Sequence, residues 1–149
     1  MSKGLTEIAG IQVGHATDLE GLTGCTAILC EGGAVAGVDV RGSATGTEEF
    51  ELMNPLHVTG AIHGVVLAGG SAFGLEAASG VRRYLEKKGV GFATGVARVP
   101  LVAGAILFDL ALGSAAARPT REMGQMAAAA ANDGPVVEGA VGAGTGATV

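Results

Sequence analysis

Glycine is the residue that most constrains this chain, because it occupies 27 of the 149 positions. The glycines follow no period of three and only 4 residues are proline, which excludes a collagen-like triple helix. A content of 48% hydrophobic and 15% charged residues excludes an intrinsically disordered chain. Aromatic residues make up only 3%, so the core must consist of aliphatic side chains. Such a core packs through close approach of backbone segments, which glycine permits.

The charge distribution argues against a nucleic-acid partner, because nine Lys and Arg residues stand against fourteen Asp and Glu residues. The longest apolar stretch, residues 99–112, is interrupted by Asp109 and is too short to cross a bilayer. Residues 1–10 contain no apolar segment typical of a secretory signal. We therefore expect a cytoplasmic protein that binds neither nucleic acid nor membrane.

The two cysteines predict no disulfide. Cys25 and Cys30 lie five residues apart on one predicted strand, so their side chains point to opposite faces. Reduced thiols are the rule in the cytoplasm. The spacing of cysteines and histidines is not that of a metal site, and no metal is predicted.

The order of the predicted elements is that of a mixed α/β protein. The first predicted elements are a hairpin of strands over residues 23–29 and 34–40 that turns at residues 31–33, and a polar loop with one helical turn over residues 43–55. A buried strand over residues 63–68 and a helix over residues 72–88 follow. The last elements are a strand around residues 105–107, a helix over residues 119–131 and a glycine-rich strand or loop over residues 136–149. Ser71 is predicted to cap the first helix, and Gly89 to end it.

The first candidate site is the run of residues 69–74 (GGSAFG), between the buried strand and the first helix. It resembles a nucleophile elbow, in which a strained turn exposes a serine at a helix N-terminus. The elbow pattern requires glycine at position 73, where this chain has Phe73, and no histidine is placed as a partner base. We therefore expect Ser71 to act as a cap. The backbone amides of the turn remain candidates for binding an anion or a developing oxyanion.

Two further patterns carry weaker signals. Residues 142–147 (GAGTGA) match the glycine spacing of a dinucleotide-binding turn, but no helix follows them, so nucleotide binding is not expected. Asp39 and Arg41 lie two positions apart, where they either pair with each other or orient a charged substrate group. His15 and His63 are interpreted as structural residues.

Several segments, read together, resemble the amino-terminal part of the P1/S58 family, which comprises β-aminopeptidases, L-aminopeptidase/D-esterase/amidases and nylon-oligomer hydrolases. The resemblance covers essentially the whole chain and keeps the order and spacing of the family. The segments are residues 11–18 (IQVGHATD), 24–26 (GCT), 38–42 (VDVRG), 67–75 (LAGGSAFGL), 80–86 (GVRRYLE), 105–110 (AILFDL) and 139–148.

The resemblance implies an αββα sandwich like that of N-terminal-nucleophile hydrolases, of which this chain is the amino-terminal portion. It implies a precursor that cleaves itself, so that a Ser or Thr at the new amino terminus attacks an amide or ester. It implies neither a metal nor an organic cofactor. The expected partners are the carboxy-terminal part of the same precursor, further copies in a homo-oligomer, and a small peptide or amide substrate.

The family's nucleophile belongs to a carboxy-terminal region that is not in these 149 residues, so the resemblance assigns no catalytic residue here. From the turn amides together with this resemblance, we expect Gly69, Gly70, Ser71 and Phe108 at the substrate pocket or on its oxyanion side. At the position of Phe108 some members carry a tyrosine whose hydroxyl helps to bind the oxyanion, and phenylalanine cannot donate. We expect this chain alone to be inactive.

Two alternatives to this interpretation remain open. One is a non-catalytic module for assembly or ligand binding, and the other is an acyl transferase like ornithine acetyltransferase, whose fold is similar. The sequence stops without a polar tail. Residues 1–149 are therefore predicted to form a single partial domain.

Overall fold

The centre of the molecule is a five-stranded sheet, seen in a computed structural model that describes residues 4–148. Its strands are β1 (Gln12–Asp18), β2 (Thr23–Ala34), β3 (Thr47–Glu48), β4 (Ile62–Ala68) and β7 (Val102–Ile106), in the spatial order β1-β2-β4-β7-β3. Strands β4 and β7 are parallel, and the other neighbouring pairs are antiparallel. A separate two-stranded ribbon consists of β5 (Phe92–Ala93) and β6 (Arg98–Val99).

Two helices, α1 (Glu76–Lys87) and α2 (Arg121–Ala130), pack against one face of the sheet. They also cross each other closely, because each has a glycine at the crossing. A Cβ atom on Gly80 would overlap the Arg121 carbonyl oxygen, and one on Gly124 would overlap the Ala77 carbonyl oxygen. The core between helices and sheet is aliphatic, as its composition predicts. Its largest fully buried side chains include Leu29, Leu85, Val66, Val81 and Val102.

The opposite face of the sheet is less fully covered. Side chains alternate along a strand, so Val65 and Leu67 lie on the face opposite to the core residue Val66. Val65 is half-buried and Leu67 is 39% exposed. The segment after α2 crosses the β1–β2 part of this face, where the Ala143 N–H donates to Thr26 Oγ1 at 3.1 Å. An αββα sandwich has its second sheet on the corresponding face.

The predicted hairpin over residues 23–40 is wrong. Strand β2 runs without a turn from Thr23 to Ala34, and residues 35–41 form no strand. The glycines at the predicted turn lie instead at an irregularity in the pairing of β2 with β4, between Leu29 and Ala34. Gly33 has a φ of +84° there. Because β4 pairs with both ends of β2, a left-handed glycine produces a bulge and not a reversal of the chain.

The other predicted elements had mixed outcomes. The buried strand, both helices, the single helical turn at Phe50–Met53 and the strand near residues 105–107 are confirmed, with shifted ends. Strand β1 was not predicted. The described residues from 136 to 148 contain a 3-10 turn at Gly142–Gly144 and no strand, and Val149 lies outside the described residues. The second helix is capped by Thr120, whose side chain accepts a hydrogen bond from the Met123 N–H.

Both cysteines are free and buried, which confirms the prediction of no disulfide between them. Burial raises the pKa of the Cys25 thiol to about 12. The Cys30 thiol donates to the Ile62 carbonyl oxygen at 3.3 Å. In the part of the chain that the structure describes, none of the helices has the length and apolar content that a bilayer span requires.

Candidate functional site

The candidate site lies where β4 ends and the chain turns into the first helix. Ala68 is the last residue of β4, and Ser71 begins a 3-10 turn, Ser71–Leu75, that leads into α1. Gly70 has a φ of +78° and Ser71 a φ of +54°. A left-handed conformation is ordinary for glycine and strained for serine. We call Gly69, Gly70, Ser71, Phe108 and Asp109 the β4 corner.

The prediction that Ser71 caps the helix is wrong. No side-chain cap bond is present at the start of the 3-10 turn, where Gly70 holds the cap position, or at the start of α1, where Leu75 holds it. The 3-10 turn separates Ser71 from Glu76, the first residue of α1. The side chain of Ser71 therefore lies too early in the chain to cap α1.

A buried carboxylate holds the β4 corner in place. Asp109 Oδ1 accepts a hydrogen bond from the Gly70 N–H at 2.6 Å, and Asp109 Oδ2 accepts one from Thr23 Oγ1 at 2.7 Å. The residue is only 4% exposed. A Cβ atom on Gly69 would overlap Asp109 Oδ2, so this position requires glycine. The carboxylate thus ties the corner to the first residue of β2.

The backbone amides of the corner are already occupied. The Gly69 N–H donates to the Gly24 carbonyl oxygen at 2.9 Å, and the Ser71 N–H donates to the Leu107 carbonyl oxygen at 3.0 Å. Together with the Gly70 N–H, all three amides donate within the protein. The expectation that these amides bind an anion is therefore not supported, because all three are held by hydrogen bonds within the protein.

Exposed aromatic rings lie at and near the β4 corner. Phe108 follows Leu107, whose carbonyl oxygen accepts a hydrogen bond from the Ser71 N–H. Phe108 is 68% exposed, and Phe73 is 54% exposed. The Arg118 guanidinium lies 3.5 Å from the centroid of the Phe73 ring, and Arg118 Nε donates to the Ala115 carbonyl oxygen at 2.9 Å. The structure thus brings Gly69, Gly70, Ser71 and Phe108 together, and it adds the Phe73–Arg118 pair beside them.

Sequence reasoning missed Asp109 and Arg118. No functional role is predicted for Asp109 from the sequence, although it interrupts an apolar stretch and lies in the 105–110 segment. A lone acidic residue inside such a stretch is a signal in itself, because carboxylates are rarely fully buried without hydrogen-bond donors. The position of Arg118 carries no comparable signal, since its contact with Phe73 joins residues that are 45 positions apart.

None of the three histidines, all of them described, hydrogen-bonds to Ser71. His15 Nδ1 lies 2.9 Å from Thr26 Oγ1, and His63 Nδ1 accepts from the Leu101 N–H at 3.2 Å. His57 Nε2 lies 3.7 Å from a carboxylate oxygen of Glu51. Burial lowers the pKa of both His15 and His63, and the nearby Arg98 charge lowers that of His63 further. These contacts agree with structural roles for His15 and His63, and they give Ser71 no base.

The remaining sequence patterns have the following structures. Arg41 Nε lies 2.5 Å from Asp39 Oδ2 in an ion pair whose side chains are exposed. The residues of the 142–147 run form a 3-10 turn, and within the described chain no helix follows it. Among residues 4–148, no group of three or more His, Cys, Asp and Glu side chains is arranged to hold a metal ion.

The chain is similar to known peptidases over nearly its whole length. The model of peptidase family S58 matches residues 3–149. An uncharacterized aminopeptidase of Mycobacterium leprae is 43% identical over 160 residues, covering 96% of this chain and 44% of that protein. A 6-aminohexanoate-oligomer endohydrolase of a Kocuria species is 36% identical over 138 residues, covering 93% of this chain and 36% of that protein. This chain therefore spans less than half the length of these relatives.

A solved structure supports the fold. The L-aminopeptidase D-Ala-esterase/amidase of Ochrobactrum anthropi, described as a variant of the Ntn hydrolase fold, aligns with a TM-score of 0.75 at 22% identity. The alignment covers 95% of this chain and 43% of that protein. Together with the five-stranded sheet and its helical layer, this confirms the predicted α/β fold of the αββα sandwich class.

Proposed function

The chain belongs to peptidase family S58, and on that premise we propose that it is the amino-terminal segment of a self-processing aminopeptidase or amidohydrolase. The match of the family model to residues 3–149 carries this proposal. The substrates are small peptides, amides or esters. The nucleophile is a Ser or Thr outside this chain, freed by cleavage of the precursor, with its own α-amine as the base.

In this proposal the β4 corner is a wall of the substrate pocket and not the catalytic centre. Two observations support that role. The corner is fixed by the Asp109 carboxylate, and an exposed ring, Phe108, projects from it. Because Phe108 has no hydroxyl, the developing oxyanion is held by donors from elsewhere in the whole enzyme.

The half-covered sheet face supports an incomplete domain. Val65 and Leu67 present apolar surface on the side where a sandwich has its second sheet. We propose that the carboxy-terminal part of the precursor supplies that sheet, that the assembled protein forms a homo-oligomer, and that this chain alone is inactive. A cytoplasmic location is part of the proposal, because the buried, free thiols of Cys25 and Cys30 fit a reducing compartment.

The proposal is tested on the intact protein with a panel of aminoacyl p-nitroanilides and esters. We expect hydrolysis, and mass spectrometry should find two chains, the second beginning with Ser or Thr. Activity from a chain that stays uncleaved would overturn self-processing. An inactive protein that is nevertheless cleaved and folded would overturn the proposed hydrolase function.

A Ser71→Ala variant separates the pocket-wall role from a nucleophilic role. We expect kcat to stay within about threefold of the parent value, because Ser71 has no base and its side chain makes no cap bond. A loss of about 10³-fold or more with an unchanged melting curve would identify Ser71 as the nucleophile after all, since removal of a catalytic serine has effects at least this large.

A further inference from the structure

Four arginines line one cleft beside helix α1. Arg82, Arg83, Arg98 and Arg121 form the wall of a cleft of about 440 Å³, which we call the arginine cleft. They are four of the six arginines in a chain whose net charge is −5. None of the residues of the β4 corner lines this cleft. Such a concentration of positive charge in an acidic protein calls for a physical explanation.

The close crossing of the helices assembles the cleft. Arg82 and Arg83 lie on α1, Arg121 is the first residue of α2, and Arg98 lies in β6. Because Gly80 has no side chain, the Arg121 backbone packs directly against α1. The guanidinium groups of three helical arginines and of Arg98 therefore lie on one surface.

The acidic side chains of the protein neutralise only part of this charge. Arg82 pairs with Glu48 at 2.6 Å, and Arg121 pairs with the exposed Glu122 at 3.1 Å. Within residues 4–148, Arg98 Nη1 donates to one acceptor, the Gly91 carbonyl oxygen, at 3.2 Å.

The fourth arginine, Arg83, is exposed and has no ion-pair or hydrogen-bond partner among the described residues. Of the described residues that line the cleft, Glu86 alone carries a carboxylate. Guanidinium donors of Arg83 and Arg98 are therefore available to a ligand.

We propose that the arginine cleft binds a small ligand through its phosphoryl groups. A guanidinium offers a planar fork of donors that matches phosphate oxygens, and a phosphoryl dianion offers enough acceptors for several arginines at once. The volume of the cleft is in the range of sites for small molecules and exceeds what a single anion needs. The proposal does not depend on the hydrolase function, because it concerns binding at a separate surface.

Isothermal titration calorimetry of the intact protein with inorganic pyrophosphate tests the proposal without any measurement of turnover. We expect saturable binding to one site per chain. Arg83→Ala and Arg98→Ala should each weaken the affinity by about tenfold, which corresponds to the loss of one charge-assisted hydrogen bond. Arg41→Ala is the matched control, because Arg41 is exposed, pairs with Asp39 and does not line the cleft.

Three outcomes would overturn the proposal. One is the absence of saturable binding, and another is equal affinity in the parent, Arg83→Ala and Arg98→Ala proteins. The third is binding of citrate as tight as that of pyrophosphate at matched ionic strength, which would mean that the cleft responds to charge and not to phosphoryl groups. Circular dichroism of each variant checks that the fold is retained.

Discussion

The β4 corner and the arginine cleft both concentrate polar groups, but the corner buries its charged group, whereas the cleft leaves charged groups exposed. At the corner, the carboxylate of Asp109 is 4% exposed and accepts hydrogen bonds from a backbone amide and a hydroxyl. At the cleft, Arg83 and Arg98 are exposed, and their guanidinium groups have more donors than the protein uses. One region has its polar groups satisfied internally, and the other leaves them to solvent or to a ligand.

This difference indicates what each region can do. A buried carboxylate with fixed partners makes the backbone around it rigid, because any movement leaves an unpaired polar group in the interior. Exposed guanidinium groups cost little to leave in water, and they gain strong hydrogen bonds when an anion arrives. The corner is therefore suited to shaping a pocket, whereas the cleft is suited to binding.

The largest expected effect is that of Asp109→Ala on stability. The substitution leaves the Gly70 N–H and the Thr23 hydroxyl buried without their acceptor. We expect the free energy of unfolding, measured by urea denaturation, to fall by about 3–5 kcal/mol, because each buried unsatisfied group costs about 1–3 kcal/mol. Asp109→Asn keeps one acceptor oxygen, so its free energy of unfolding should fall by less than that of Asp109→Ala.

Asp39→Ala is the matched control, because Asp39 is exposed and pairs only with Arg41. It should leave the free energy of unfolding nearly unchanged, as is usual for exposed ion pairs. Equal losses in the Asp39 and Asp109 variants would remove the distinction between a carboxylate that holds the fold and one that does not.

A smaller effect is expected for Gly80→Ala, which acts on the scaffold of the arginine cleft. The new methyl group would overlap the Arg121 carbonyl oxygen, so α1 and α2 must separate. Overpacking of this kind costs about 1–3 kcal/mol, and the better helix propensity of alanine returns roughly 1 kcal/mol. We expect a net loss of about 1 kcal/mol in the free energy of unfolding, together with weaker pyrophosphate binding.

Gly60→Ala serves as the control for this variant, because a Cβ atom on Gly60 would meet nothing within 4 Å and the residue has no positive φ. Its free energy of unfolding and its pyrophosphate affinity should match those of the parent. A Gly80→Ala protein as stable as the parent would show that the helix crossing tolerates a side chain.

The smallest effect concerns the pH dependence of stability through His63. Burial and the Arg98 charge lower the pKa of His63 in the folded protein below its usual 6.5, so the unfolded chain binds more protons at acidic pH. Stability should therefore fall as the pH decreases from about 6.5 towards the lowered value, by at most about 1.4 kcal/mol per pH unit. His15 contributes in the same direction, because burial also lowers its pKa.

Urea denaturation between pH 7.5 and 5 measures this slope. It should become shallower in Arg98→Ala, where the pKa of His63 rises towards its usual value, and shallower still in His63→Gln. A slope unaffected by Arg98→Ala would show that the positive charge of Arg98 does not shift the pKa of the buried His63.

The sequence was sufficient to predict elements whose pattern is local. The run from Gly64 to Ala68 is apolar throughout, and the following helix has apolar spacing and ends shortly before Gly89, which has a φ of +71°. The same reasoning failed at residues 31–33, where glycines typical of a turn lie at an irregularity within one strand. The pairing of β2 with β4 keeps these residues within one strand, and no local sequence pattern indicates that pairing.

The amino-acid sequence was enough to predict the α/β class, the family resemblance, the aliphatic core and the free thiols of Cys25 and Cys30. These follow from composition, periodicity and the order of motifs along the chain. The packing of strands and helices was needed to find that Asp109 holds the β4 corner, that the corner amides are occupied, and that four arginines line one cleft. Hydrogen bonds and charge clusters of this kind join residues far apart in the chain, and their geometry depends on how strands and helices pack.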